Sequence, residues 1–411
     1  MQRVQFCISN FNTQKHILEK MTKSVHRIDV ADALRGLSVL GIVLVHSLEN
    51  YNLFNFTPID TPFMKFLDSV LFDSTFFIFA GKAYGIFALL FGFSFFIQDN
   101  NQLKRGNDFR PRFLWRLVLL FVWGMINSLF YTGDVLVMFS LIGIVLILTA
   151  RLSTKTVLMI ATIFILQPIE WGRVIYALVN PDYVMGESMV GYHYGKLNPI
   201  LIDKSASLSE IFNVMLHHGE WGSFMWAWEN GRFCQVAGLF LFGMLIGRTE
   251  FFLHPETNIR KWVRMLILGV VCFFPLKGLT LMLPGFIENK AVLEPLGIIV
   301  QSFANVSFLF FLVSLVLIVY YSTEKGQSLL RRLIPYGKMS LTNYITQSLL
   351  GGAIFYSWGL GLSVSITMSF LIGVGIFIVQ YIFSCWWMKN HKHGPLEYIW
   401  KKATWIGSKK D

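Results

Sequence analysis

The sequence predicts an all-α, polytopic transmembrane helix bundle of about ten spans with both termini cytoplasmic, and three observations predict it. Hydrophobic residues make up 54% of the 411. They gather in blocks of about 18 to 25, enough at roughly 1.5 Å per residue to cross a hydrocarbon layer of about 30 Å. Charged residues are only 14% and the mean hydropathy is +0.55, unlike an ordinary soluble domain. Basic residues fall in alternate loops, which is the positive-inside pattern.

The spans are expected near 35–50, 74–97, 113–131, 134–150, 156–175, 233–248, 262–284, 295–321, 338–358 and 363–388. Lys82 interrupts the second, and the fifth runs into a polar aromatic stretch after Gln167, so either could be broken or re-entrant. Lys15, Lys20, Lys23 and Arg27 precede the first span; Lys104, Arg105, Arg110 and Arg112 follow the second. Arg151 and Lys155 follow the fourth, Arg248, Arg260, Lys261 and Arg264 flank the next basic loop, and Lys325, Arg331, Arg332 and Lys338 the one after. Lys389, Lys392, Lys401 and Lys402 lie in the tail. Intervening loops carry balancing acids such as Asp60, Asp68 and Asp73, or Glu288 and Glu294. An even number of spans follows.

The chain therefore divides into a basic extension (1–26), an N-terminal bundle (27–167), an extracytoplasmic aromatic-rich region (168–232), a C-terminal bundle (233–388) and a cytoplasmic tail (389–411). The extracytoplasmic region holds Trp171, Tyr176, Tyr183, Tyr192, Tyr194, Trp221, Trp226 and Trp228, too aromatic for a disordered linker. In the tail, His393 to Trp405 reads as an interfacial helix with Leu396, Ile399, Trp400 and Trp405 toward lipid or bundle and Lys401 and Lys402 toward anionic headgroups. The first twenty residues lack the apolar segment of a cleavable signal, so the first span is expected to direct insertion; Met21 is an alternative start.

A net charge of +11 could point to nucleic acid, but its distribution over alternate loops points to membrane lipids as partners and excludes that class. Cys7, Cys234, Cys272 and Cys385 are scattered without metal-ligand spacing. His217, His218 and Glu220 are close in sequence, but adjacent histidines do not share a helix face and no fourth ligand is evident, so no metal is expected.

Ionisable groups inside spans cost about 2.5–3.5 kcal/mol each and demand an explanation. Arg35 and His46 lie on nearly one helix face, about 16 Å apart along the axis. A guanidinium at the membrane entrance suits a phosphate-bearing donor, and a deeper, mostly neutral imidazole suits a general base. The alternative is a snorkelling arginine beside a hydrogen-bonded core histidine. Lys82 could bind a phosphate or carboxylate, or pair with Asp73 or Asp134. Arg112 and Arg116, one turn apart, could join Arg35 around the donor's phosphates or anchor the helix at the interface. Asp134 could cap the helix that follows it or orient a catalytic imidazole. Ser340, Asn343 and Gln347 form a polar stripe that lines a substrate path or glues helices together.

The segment RIDVADALRGLSVLGIVLVH (Arg27 to His46) resembles the first helix of acyltransferase family three, where Arg, ten intervening residues and His form a signature. It also resembles the YeiB-like (DUF418) membrane proteins. The blocks FIFAGKAYGIFALLFG (from Phe77), RPRFLWRL leading to Asp134, YGKMSLTNYITQSLL (from Tyr336) and HGPLEYIWKKATWIG (from His393) are similar to that family's and favour it. The resemblance covers nearly the whole chain from Arg27. It groups the chain with transmembrane acyltransferases, including lysosomal sugar N-acetyltransferases, and so implies acyl transfer across the membrane. The implied donor is cytoplasmic acyl-CoA, as acetyl-CoA, and the acceptor an extracytoplasmic hydroxyl or amine on a glycan, lipid or small molecule. The resemblance leads one to expect Asn in many YeiB-like members where this chain has His46, and no other histidine follows until His193.

Together these readings make His46 the catalytic residue, Arg35, Arg112 and Arg116 the donor-binding residues, and Lys82, Asp134, Asn343 and Gln347 the substrate path. The expected place is the bacterial cytoplasmic (inner) membrane, with a second copy of the chain as one potential partner. Two other classes fit the same residues: an exporter of a small anionic solute, which needs a gradient, and a non-catalytic scaffold of an envelope-modifying complex, which survives loss of His46.

Overall fold

A computed structural model describes residues 28–407. The basic extension, with Cys7, Lys15, Lys20, Met21 and Lys23, and also Arg27, lies outside the described residues. The described chain is helical without a β-strand; one isolated bridge joins Phe56 and Val364. Five helices are long and apolar enough to cross a membrane, or up to seven spans result if each of two bent helix pairs is one. This is a multi-pass membrane protein.

α1 (Asp29–Leu48) begins before the expected span, with Asp29 and Asp32 in its first turn where the helix dipole favours acids. The second expected span becomes α2 (Pro62–Phe79) and α3 (Ala83–Leu103), broken at Gly81, whose φ is +75°. Residues 62–73, expected in a loop, are helical. Pro62 sits at the helix start, and the Thr61 hydroxyl accepts from Met64 N–H at 3.3 Å. α4 (Arg110–Asn127), α5 (Leu136–Ile142) and α6 (Ile144–Thr149) cover the third and fourth expected spans. α7 (Thr154–Ile165) and α8 (Pro168–Val179) cover the fifth and meet at 45°, with Gln167 left-handed at φ +59°.

The aromatic-rich region folds over one end of the bundle as α9 (Met189–Ile202), α10 (Leu208–Val214), a π turn at Met215–Gly219 and α11 (Glu220–Glu229). α12 (Arg232–Arg248) leaves it at 76°. α13 (Pro255–Phe286) and α14 (Lys290–Ser322) run past their expected limits into polar flanks. α15 (Glu324–Arg332), α16 (Ile334–Lys338), α17 (Ser340–Phe355), α18 (Ile366–Asn390) and the tail helix α19 (Pro395–Thr404) complete the chain.

The core centres on α12, buried on almost every side against α3 and α7. There the backbones of α3 and α12 touch reciprocally. A Cβ on Gly92 would stand 1.8 Å from the Phe240 carbonyl oxygen, and one on Gly243 1.9 Å from that of Leu89. Only glycine permits this approach, the small-residue packing that membranes use in place of a hydrophobic driving force. α13 and α18 keep most of their surface outward. In the tail helix Leu396 and Trp400 pack on the core, while Ile399 and Trp405 are exposed. It also supplies a cap: the Glu397 carboxylate accepts from Leu341 and Thr342 N–H at 2.7 and 3.0 Å, at the start of α17, which has no cap of its own.

Gly243→Val drives a side chain into the Leu89 carbonyl and is expected to cost about 3 kcal/mol, read as a lower melting temperature and less monodisperse protein in detergent. Gly278→Ala, whose Cβ meets nothing within 4 Å, leaves melting unchanged.

Candidate functional site

His46 projects from the last turn of α1, far along the helix from Arg35. Beyond it the chain turns back in an unusual way. Asn50, Tyr51, Asn52 and Phe54 all have positive φ, between 48° and 71°. A bulky residue such as Tyr51 adopts that region only when its surroundings enforce it. Tyr51 N–H donates to the His46 carbonyl at 2.7 Å, and the Tyr356 hydroxyl donates to the Tyr51 carbonyl at 2.7 Å. Ser369 holds the Asn50 side chain at 2.8 Å, and Asn198 donates to the Asn52 carbonyl at 3.2 Å. The turn folds Tyr51 back beside the imidazole.

The result is an aromatic enclosure. The His46 ring lies 4.5 Å from that of Tyr131 and 5.9 Å from that of Tyr51, and the two tyrosines meet edge-on at 5.4 Å. Gly351 of α17 lets the Tyr51 ring lie against the helix, since a Cβ there would fall 1.9 Å from it. His46 is half-buried, yet its Nδ1 is buried and makes no hydrogen bond among the described residues. The Tyr51 hydroxyl is likewise without a partner, as are both amide atoms of Gln347, one turn before Gly351. Buried polar atoms are almost always satisfied. Four such atoms on facing elements mark a place built for polar contact with something other than the protein.

Acids border this enclosure. Glu49, one turn after His46, is close enough to Tyr131 and Tyr194 to act on their phenols electrostatically. Asp134 caps α5, accepting from Leu136 and Val137 N–H at 2.8 and 3.1 Å and from Asn127 at 2.8 Å. Glu220 on α11 lies within electrostatic reach of Asp134, and its Oε2 is buried without a partner. The outer helices roof the site: Tyr194 donates to the Thr132 carbonyl at 3.0 Å, and Ser223 to the Asp134 carbonyl at 2.5 Å.

The other expected residues are dispersed. Arg35 pairs with Asp32 and donates to Ser94. Arg112 donates to the Thr404 and Ile406 carbonyls at 2.9 and 3.0 Å and covers Trp405, while Arg116 stacks 4.2 Å over Trp400. Both guanidiniums thus fasten the tail helix. Asn343 donates to the Tyr336 carbonyl at 3.0 Å and to Ser384 at 3.1 Å, as interhelical glue. Lys82 forms an ion pair with neither Asp73, which accepts from Ser69, nor Asp134. In the roof, His218 faces His193, Nδ1 to Nδ1 at 3.1 Å, and His217 approaches the Asn213 carbonyl at 2.8 Å. Among the described residues no three of His, Cys, Asp and Glu are grouped to hold a metal.

Two family matches cover most of the chain. Residues 27–185 match "Heparan-alpha-glucosaminide N-acetyltransferase, catalytic", and residues 246–407 match "Protein of unknown function (DUF418)". The uncharacterized protein YeiB of Escherichia coli (strain K12) is 24% identical over 91% of this chain and 95% of its own length. The chain is thus similar to the YeiB-like DUF418 proteins over nearly its whole length. Another relative, the uncharacterized protein YxaH of Bacillus subtilis (strain 168), is 26% identical over 94% of this chain and 96% of its own. An uncharacterized 39.9 kDa protein in the amylase 3' region of Bacillus acidopullulyticus is 25% identical over 92% and 94%. The segment that carries Arg35, His46, Lys82 and Asp134 is thus acyltransferase-like.

Sequence reasoning missed Glu49, Tyr51 and Tyr131, and weighed Glu220 only as a metal ligand. For Glu49 a signal existed, because a residue three after His46 shares its helix face. The others depend on the left-handed turn and on the roof.

Burial and the neighbouring His218 hold the His193 imidazole below its ordinary value. The folded roof therefore favours neutral His193, a contribution complete above the unfolded value of about 6.5 and lost as pH falls through it. Amide exchange in residues 189–229, corrected for intrinsic rates, is expected to rise between pH 7.5 and 5.5, and to rise less in His193→Asn.

Proposed function

We propose that this protein is a membrane-embedded acyltransferase that moves an acyl group from cytoplasmic acyl-CoA, as acetyl-CoA, to a hydroxyl or amine on the other side of the bacterial inner membrane. The observation that carries the reading is His46: a half-buried imidazole with an unpartnered nitrogen in a tyrosine enclosure, within the segment that matches an acetyltransferase catalytic domain. The reading includes about ten spans with both termini cytoplasmic, which assigns α4, the α5–α6 pair and α17 as short spans and the basic loops to the inside. Arg35, Arg112 and Arg116 then share the cytoplasmic end, where the donor's phosphates arrive, and the roof covers the acceptor side.

In the chemical step His46 takes the proton of the acceptor O–H or N–H as that atom attacks the thioester carbonyl. The C–S bond breaks as the new acyl bond forms, and the CoA thiolate leaves and takes up the proton from the imidazolium. Gln347, with Tyr51, orients the acceptor. Lys82, Asp134 and Asn343 support the path, Asp134 by fixing the start of α5 beside the enclosure. Export of a small anionic solute is the second reading, favoured by the helix breaks at Gly81 and Gln167.

The test is release of CoA thiol by purified protein in nanodiscs with acetyl-CoA and a panel of glycan and amine acceptors. His46→Ala is expected to lose about 100-fold or more in turnover with acetyl-CoA binding intact, and Arg35→Lys to weaken that binding. Failure of well-folded wild type to bind acetyl-CoA rejects the donor and favours export. Gln347→Leu separates function from packing: it removes two unpartnered polar atoms, so melting holds or rises while turnover falls.

A further inference from the structure

Away from His46, three interrupted helices meet. α3 begins after the break at Gly81, α12 after left-handed Gly231, and α8 after left-handed Gln167. Their broken turns are tied together: Gln167 Nε2 donates to the Gly231 carbonyl at 3.0 Å and to Ser302 at 2.9 Å, Gln235 donates to Ser302 at 3.1 Å, and the Tyr84 hydroxyl donates to Gln235.

A cation stands at two of these breaks. Lys82 is the N-cap residue of α3 and Arg232 the first residue of α12. Lys277, from α13, acts with Arg232 on Lys82 by charge repulsion. Lys82 is only 6% exposed, and its ammonium makes no hydrogen bond or ion pair among the described residues, resting instead over Phe77 and Phe308 at 5.9 and 5.4 Å. Arg232 gives one nitrogen to Gln235 at 2.8 Å and lies over the Tyr84 and Trp226 rings at 5.5 and 5.4 Å, while its buried Nε makes no hydrogen bond among the described residues. Among the described residues Lys277 donates only to the Gln301 amide oxygen, at 3.4 Å. The nearby carboxylates are engaged elsewhere: Glu170 by Arg173 at 2.8 Å, and Glu229 by Ser188 and Met189 N–H at 2.6 and 2.7 Å.

A buried ammonium with two half-buried cations beside it and no anion calls for one. The amides at the starts of α3 and α12 carry no side-chain cap and add to the positive field. Depth and surroundings narrow the ligand. Lys82 stands the length of α3, about 30 Å, from Lys104; Arg232 and Lys277 stand about 25 Å from Arg248 and Arg260. All three thus lie a membrane thickness from the basic belt, at headgroup level of the other leaflet. Below Lys82, Phe77, Phe273 and Phe308 pack at 4.7–5.6 Å, and Phe77 and Phe274 open outward at 43% and 64% exposure.

We infer that Lys82, Arg232 and Lys277 form a binding site for the phosphate of an anionic amphiphile, entering laterally from the leaflet opposite the basic belt with its chains along α2 and α13. The site does not depend on acyl transfer.

The test is native mass spectrometry and thermal melting of the full chain in detergent, with phosphatidylglycerol, phosphatidylcholine or inorganic phosphate added. Wild type is expected to retain phosphatidylglycerol over phosphatidylcholine and to melt higher with it. Lys82→Met and Arg232→Gln lose about tenfold in retention, Lys82→Arg recovers it, and Lys261→Gln in the basic belt behaves as wild type. Should the two buried substitutions impair folding, Lys277→Gln at the outward-facing helix gives the same loss in a milder setting. Retention unchanged in Lys277→Gln and in whichever buried variants fold overturns the site. Protection by inorganic phosphate with none by phosphatidylglycerol overturns the amphiphile and leaves a free anion.

Discussion

A helix that stops inside a hydrocarbon layer exposes amides and carbonyls that water cannot satisfy, and the architecture of this protein follows from how those groups are met. The Gln167 amide reaches the Gly231 carbonyl, so one side chain serves a break in another helix. Asp134 caps α5, and Glu397 reaches from the tail to the start of α17. Each solution puts a polar side chain at depth, and each needs a second element held in fixed register. The reciprocal glycine contact of α3 and α12 supplies that register at the centre.

The same economy explains what the sequence discloses. The Thr132-Gly133-Asp134 turn carries its cap within its own residues, so reading Asp134 as a cap is possible from the chain alone. The interruptions at Lys82 and after Gln167 are equally local, because a charge in one apolar block and a polar stretch in the other announce them. Arg112 and Arg116 show the limit. Their spacing gives a shared face and end of the helix, but their partners are some 290 residues away, in a tail that only the folded chain brings to them.

The enclosure at His46 was legible only in part for a related reason. Arg35 and His46 stand on one helix and carry their own geometry. Tyr51 does not: its left-handed backbone is imposed by Tyr356, Ser369 and Asn198, from three separate elements, and no local propensity predicts it. Strain of that kind, held against a bulky side chain, is retained where it places a ring that helical continuation would have sent elsewhere. Here it closes the wall of a site whose other walls come from Tyr131 and Gly351.

Two opposite fields therefore coexist toward one end of the bundle. Near His46 the charged groups are Glu49, Asp134 and Glu220; at the helix breaks they are Lys82, Arg232 and Lys277. In a medium of low dielectric these groups would gain from pairing, and a flexible chain would let them. They remain apart because they sit on separate elements: Glu49 and Asp134 in turns, Glu220 on α11, Lys277 on α13, and Lys82 and Arg232 at the starts of α3 and α12, which backbone contact holds together. A bundle that resists its own neutralisation keeps the two fields distinct, as both the proposed acceptor site and the proposed phosphate site require. On the second proposal, rigidity at the glycine crossing is what holds Lys82 and Arg232 together and leaves them open to a ligand.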